Sequence, residues 1–214
     1  MSHEIVTAHH TGYARFMDAC YHRQPDATPI WFMRQGGSCI REYRALLEKY
    51  DVLTIAKTPE LSSRVAIMPI KNFGVDAAVL YADVMLPVEA MGVEMHLEET
   101  GPVVHQPIRE AKHVEQLATP GEDEVTPFVM EGIRLIRNEL GGKQAIIGIT
   151  GAPFTLACYM IEGRPSRDYR VAKALMYGQP DAWHTLMTKV TDVLTGYVTA
   201  QVKAGADAIQ MFDS

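Results

Sequence analysis

The sequence has few cysteines: Cys20, Cys39 and Cys158 are the three among 214 residues. They are odd in number, far apart and form no CxxC pair, so neither a disulfide framework nor a structural zinc site is expected, and a reducing, cytoplasmic setting fits best. Positive charge is also short. Lys plus Arg number 20 against 26 Asp plus Glu, a net charge of -6. That balance argues against a general nucleic-acid or anionic-membrane binder, while leaving room for a local basic pocket. Long apolar runs are missing as well: the most apolar region, 75–93, is interrupted by Asp76, Asp83 and Glu89, so no membrane-spanning segment is expected. The opening MSHEIVTAHH shows no basic-then-apolar leader pattern. The eight histidines include no HExxH or HxH spacing, and no GxGxxG opens a helix. Gly148-Ile149-Thr150-Gly151 lacks the length and the lysine of a phosphate loop. No metal is therefore expected. No internal repeat stands out.

What is present is an ordinary globular composition, 47% hydrophobic and 21% charged, read as a single domain over 1–214. Helical spacing marks residues 10–23, 42–49, 59–73, 122–140, 154–161 and 181–203. Thr58 is the expected N-cap of the third of these, with Pro59 at its first position and Gly74 as its stop. Compact apolar runs at 29–33, 77–82, 145–149 and 207–212 read as four buried strands, and 93–97 with 102–104 as a small hairpin. Buried strands joined by helical crossovers imply a parallel sheet covered by helices. An open doubly wound sheet and part of a (β/α)8 barrel both fit. Four strands are half a barrel's count, and a chain that stops inside a strand is expected to be a fragment of something longer.

Parallel-sheet folds place their sites at the carboxyl ends of strands. Those tips are Arg34-Gln35, Asp83, Thr150-Gly151 and Asp213-Ser214. A charge at the tip of an apolar strand is costly unless it meets solvent, a partner or a ligand. A cap or an ion pair explains one such residue alone; charged tips on three of four strands shift the balance towards a site. Arg34, Arg41 and Arg44 offer planar donors for carboxylates or phosphates, though a solvated helix face suits Arg41 and Arg44 better. The cysteines and the methionines read as core residues.

Pro29-Ile30-Trp31-Phe32-Met33-Arg34-Gln35-Gly36-Gly37 followed by Glu42-Tyr43-Arg44 resembles the opening signature of the uroporphyrinogen decarboxylase family. Phe73-Gly74-Val75-Asp76-Ala77-Ala78 leading to Asp83, Pro87 and Ala90-Met91-Gly92 continues the likeness. Gly151-Ala152-Pro153-Phe154-Thr155-Leu156 with Tyr159-Met160-Ile161-Glu162-Gly163 is similar to its second signature, and Ala204-Gly205-Ala206-Asp207 to Phe212-Asp213-Ser214 to the next strand. Four blocks in order are far more specific than any one motif. The resemblance implies a TIM-type (β/α)8 barrel of which about the first four strand–helix units are present.

It also implies a chemistry. The family's substrate, uroporphyrinogen, is a cyclic tetrapyrrole whose four acetate arms lose carbon dioxide to give coproporphyrinogen, in haem and porphyrin biosynthesis. No cofactor is needed, because the reduced pyrrole, protonated on carbon, is its own electron sink. By similarity Asp83 accepts the pyrrole N–H groups and stabilises the developing cation, since one carboxylate offers about four acceptor sites. Arg34, the second catalytic residue that the resemblance implies, meets the substrate carboxylates and helps deliver the proton. Tyr159 and Ser214 position the acetate, and Gln35, Gly36 and Gly37 line the pocket. The family's second arginine falls on Ser38, and another often found later falls on Leu47. Each lost charge-assisted contact costs ~1.5–3 kcal/mol; Arg41 is expected to replace one of them in part. A homodimer is the expected assembly. Two other readings remain open: a zinc-dependent corrinoid methyltransferase of the same superfamily, and an inactive half barrel that binds porphyrinogen. An open half barrel is expected to self-associate.

Overall fold

The computed structural model describes residues 11–33 and 38–213. Helix α1 (Gly12–Cys20) opens on Thr11, whose side chain accepts the Ala14 N–H at 3.1 Å. The short α2 (Arg41–Leu47) and α3 (Val52–Lys57) follow, α3 being capped by Asp51, which accepts the Thr54 N–H at 2.8 Å. Helix α4 (Pro59–Phe73) has the expected proline start and the expected stop at Gly74, whose φ of 66° suits glycine. Thr58 occupies the N-cap position, but its hydroxyl donates back to the Thr54 carbonyl instead of capping the helix.

Strand β1 (Ala77–Val79) leads to α5 (Leu86–Ala90), and the hairpin of β2 (Met95–Glu98) and β3 (Gly101–Val104) to α6 (Ala111–Glu115). Then come α7 (Pro127–Leu140), β4 (Ala145–Gly151), α8 (Pro153–Glu162), α9 (Arg170–Gly178), α10 (Pro180–Ala204) and β5 (Ala208–Phe212). Helix α7 starts later than the apolar spacing predicts. Thr126 has φ of 49°, outside the helical region, and Pro127 then begins the helix where its missing N–H is harmless. Spacing gave no sign of α3, α6 or α9, each of nine residues or fewer.

The parallel sheet runs β1-β4-β5, with Ala77 beside Ala145 and Ile147 beside Ala208. Strand β4 is buried along its whole length, as a central strand covered on both faces must be. Helix α4 packs on α7, and α10 on α7, α8 and α9. Ile133, Ile136, Leu156, Leu186 and Tyr197 on these helices are fully buried against the strands. Beyond the short β1, both backbone groups of Ile149 are taken by the side-chain amide of the buried Gln201, at 3.0 Å each.

The expected first strand is corrected. Residues 29–33 form no ladder, and Ile30, Trp31 and Phe32 are exposed rather than buried. The segment does start where a strand beside β1 would start: the Asp76 N–H donates to the Ile30 carbonyl at 2.8 Å, and the Ile30 N–H donates to the Asp76 carboxylate at 2.8 Å. No ladder follows, though Phe32 and Met33 stay beside Val79 and Leu80; Met33 packs on the core, while Trp31 meets Phe16 and Phe32 meets Phe73 edge to face.

The same arrangement recurs two strands away. The Asp207 N–H donates to the Ile146 carbonyl at 2.8 Å, and the Ile146 N–H donates to the Asp207 carboxylate at 2.8 Å. An arginine secures each aspartate: Arg15 lies 2.6 Å from Asp76, and Arg137 lies 2.5 Å from Asp207. Gly74-Val75-Asp76-Ala77 and Gly205-Ala206-Asp207-Ala208 are thus a short repeat, where the sequence reading saw none. Helix α1 closes this amino-terminal end of the sheet. A side chain at Gly12 would come within 2.9 Å of the Asp76 backbone, and the Tyr13 N–H donates to the Lys143 carbonyl at 2.9 Å.

Candidate active site

At the opposite, carboxyl end of the strands, β1 hands over to a buried segment, 80–83, and a turn at 84–85 before α5. Asp83 is buried, and one of its oxygens accepts the Met85 N–H at 3.0 Å. Its backbone carbonyl accepts the Leu86 N–H at 3.2 Å. The aspartate therefore has a local structural role in starting α5. Behind the turn, the hydroxyls of Tyr81 and Tyr43 meet at 2.9 Å and tie α2 to the same place.

Asp83 also lines a cavity of about 240 Å³ with Met33, Leu80, Ile149, Thr155, Tyr159 and Phe212. Apart from Met33, which follows the apolar run 29–32, these residues lie at the carboxyl ends of β1, β4 and β5 and on the first turns of α8, where barrel folds assemble their sites. The Thr155 hydroxyl donates to Asp213 at 3.0 Å, and the Ala152 N–H donates to the Phe212 carbonyl at 2.7 Å, so the start of α8 is fastened to the tip of β5. Larger hollows lie elsewhere. One of about 670 Å³ runs between α4 and α7 in the outer helical layer, and one of about 460 Å³ lies beside Ile108 and His113. Neither is at the strand ends.

Burial raises the pKa of the half-buried Tyr159, with Tyr169, Asp83 and Cys158 adding to the effect. The phenol consequently stays neutral through the physiological range and keeps a proton to donate. Tyr197, fully buried on α10, is raised further by burial and by the charge of Asp83. The cavity thus combines one carboxylate, one neutral phenol and mainly apolar walls, a setting in which a buried anion acts strongly on any positive charge formed beside it.

The structure brings two of the expected site residues together, Asp83 and Tyr159. Ser38 is exposed and does not line the cavity; its carbonyl accepts a bond from Arg44 at 3.0 Å. Arg41 begins α2, is exposed, and is not part of the cavity lining either. Arg34, Gln35, Gly36, Gly37 and Ser214 lie outside the described residues. Thr155, Met33, Ile149 and Phe212 were not foreseen as site residues. Position at a strand tip is the signal that could have found Ile149 and Phe212; Thr155 follows the turn after β4 by three residues. Among the described residues, no group of three or more His, Cys, Asp or Glu is arranged to hold a metal ion, and no helix is long and apolar enough to cross a membrane.

Residues 11–214 match the family model described as Uroporphyrinogen decarboxylase (URO-D). A curated relative named uroporphyrinogen decarboxylase from Roseiflexus sp. (strain RS-1) is 47% identical over 203 residues, covering 94% of this chain and 58% of that protein. One of the same name from Geobacter sulfurreducens is 46% identical over 200 residues with the same coverage. The chain thus spans a little over half the length of the curated relatives it matches. Among solved structures, a methyltransferase from Methanosarcina mazei aligns with a TM-score of 0.74 at 23% identity, over 94% of this chain and 58% of that one; at that identity the likeness speaks for the fold alone. The parallel sheet and its helices are part of a (β/α)8 barrel, and the chain belongs to the uroporphyrinogen decarboxylase family.

Proposed function

We propose that this chain is part of an enzyme that removes the acetate carboxyl groups of uroporphyrinogen III to give coproporphyrinogen III, a cofactor-independent carbon–carbon lyase of haem biosynthesis. The observation that carries the reading is Asp83, a carboxylate buried at a strand tip in an apolar-walled cleft beside the neutral Tyr159. Asp83 accepts the pyrrole N–H groups. Protonation of a ring carbon makes a cationic iminium, and the nearby negative charge lowers the energy of that state more than that of the neutral ring. The electrons of the C–CO2 bond then flow into the cation and carbon dioxide leaves; a second proton adds to the resulting exocyclic methylene to make the methyl group, and the ring carbon gives up its first proton, so that one proton is consumed for each carboxylate lost. Tyr159 donates its hydroxyl hydrogen to the acetate, with Ser214 as its expected companion. Arg34 answers the substrate carboxylates, and Gln35, Gly36 and Gly37 complete the wall.

The described cavity, about 240 Å³, is smaller than the ~300–1,000 Å³ of a usual small-molecule pocket. It takes the reacting edge of the macrocycle, and the remainder lies over the open end of the sheet. The same reading carries a homodimeric assembly and a cytoplasmic setting, the latter supported by a sequence with three widely spaced cysteines and no CxxC pair.

The test is turnover of uroporphyrinogen III, with the products separated by carboxyl number after oxidation to porphyrins. Asp83→Asn keeps the shape and removes the charge, and turnover should fall by about 10²–10³, the scale of a lost transition-state electrostatic contact. Turnover equal to the unsubstituted protein would overturn the reading.

A further inference from the structure

Helix α10 approaches the cleft from the helical side of the sheet. Its buried Gln201 takes both backbone groups of Ile149, at 3.0 Å each, where the ladder of β1 on β4 has ended. A side chain at Gly148 would run into that amide, so this turn of α10 lies directly on β4. Strand β5 follows α10 and is parallel to β4. Helix α10 therefore runs against the strands, and its earlier turns lie nearer their carboxyl ends. Tyr197 shares the face of Gln201, one turn earlier. Four residues of helix are ~6 Å long, about two residues of strand. Tyr197 is thereby level with Gly151. The register of β1, Val79 beside Ile147, counted on by the same four residues, brings Asp83 to the level of Gly151 as well.

Tyr197 is fully buried, and its hydroxyl has no hydrogen-bond partner among the described residues. A buried hydroxyl without a partner costs stability, and phenylalanine would fill the same space without that cost. Packing alone gives no reason for the oxygen. Asp83 gives one. It is buried too, and it begins α5, which packs on α10. Burial, and then the charge of Asp83, raise the pKa of Tyr197, so the phenol is neutral and the carboxylate is near enough to act on it. A hydroxyl hydrogen rotates to suit its surroundings, and one with no other acceptor turns towards the neighbouring negative charge. The phenol then presents the positive end of its dipole to Asp83 through an interior of low dielectric, where such an interaction is stronger than in water.

We propose that Tyr197 is a positioning residue for Asp83, its hydroxyl steadying the carboxylate from the helical side of the sheet while the substrate meets it from the cleft. Tyr197 does not line the cavity, so it acts on the substrate only through Asp83. The role rests on the decarboxylase reading and deepens it. A carboxylate oriented before the substrate arrives meets the cation formed on the pyrrole without first reorganising, which is where an electrostatic contact gains most of its catalytic effect.

Two measurements on the whole protein of which this chain is part test this. Tyr197→Phe removes the oxygen alone. It should unfold at the same or a higher temperature, because an unpaired buried hydroxyl is lost. Its kcat for uroporphyrinogen III should nevertheless fall about tenfold at unchanged KM, a smaller loss than that of a donor in direct contact with the reacting group. A residue that only packs would leave kcat alone. In the second measurement, 3-fluorotyrosine placed at 197 should shift its fluorine NMR resonance when Asp83→Asn is introduced. The same label in place of Tyr13, on α1 at the other end of the sheet, should not respond. A Tyr197→Phe protein that unfolds earlier or keeps its full kcat, or a fluorine resonance at 197 indifferent to Asp83→Asn, would overturn the role. Absence of turnover in the unsubstituted protein would overturn the decarboxylase reading instead, and the fluorine response would still decide whether Tyr197 and Asp83 act on one another.

Discussion

Cys158 sits on α8 with its thiol buried. Burial, then the Glu162 and Asp213 carboxylates, push its pKa up from 9.0 to about 11. The folded state therefore holds the thiol proton more tightly than the unfolded chain. As pH rises past 9, the unfolded chain ionises first, so the stability contributed below pH 9 is lost progressively up to about pH 11. Urea unfolding at pH 8, 9, 10 and 11 should show that decline, and Cys158→Ala, although less stable overall, should show a shallower one. Tyr159 and Tyr197, also raised, keep part of the slope in the variant above about pH 10. At this scale the sequence was informative about Asp83, because a charge ending an apolar run is conspicuous. It said nothing of Tyr197, whose hydroxyl is buried without a hydrogen-bond partner among the described residues: a tyrosine at one more apolar position of a long helix looks like any core residue.

Among the elements, the paired aspartates decide how the strands start. Asp207→Ala would leave the Ile146 N–H without its acceptor and take the carboxylate from Arg137, which would keep only its bond to the Gly205 carbonyl. The expected loss is ~1–3 kcal/mol of unfolding free energy, read from urea denaturation. Asp76→Ala should cost a similar amount and also release the Ile30 N–H, visible as faster amide exchange at Ile30 with little change at Ile146. The glycine stops, Gly74 and Gly205, are legible as letters, because positive φ at a helix end favours glycine. That the next aspartate but one turns its carboxylate to a neighbouring strand is not legible. The four-residue pattern has no means of naming a partner 46 or 61 residues away. The run at 29–33 shows the converse error. Its composition reads as a buried strand, but burial depends on what covers it, and here Ile30, Trp31 and Phe32 stay exposed.

Across the whole molecule, those three side chains adjoin one side of the sheet, and Met211 is exposed on β5 at the other. Exposed apolar groups beside unpaired strand edges favour association between chains. Light scattering of the chain by itself should show species larger than a monomer, and Trp31→Ser with Phe32→Ser should shift them to smaller size; a monodisperse monomer in the unsubstituted chain would count against this. The sequence by itself determined the class of fold, the alternation of strands and helices, most helix ends and two residues that line the cavity, Asp83 and Tyr159. It could do so because periodicity, proline, glycine and tip charges act over one element at a time. Only the tertiary structure decided that the first apolar run stays exposed and forms no ladder, that Asp83 and Tyr159 share one cavity with Thr155 and Phe212, and that His96 meets His105. Each of those depends on distances between segments far apart along the chain, set by packing and register rather than by local preference.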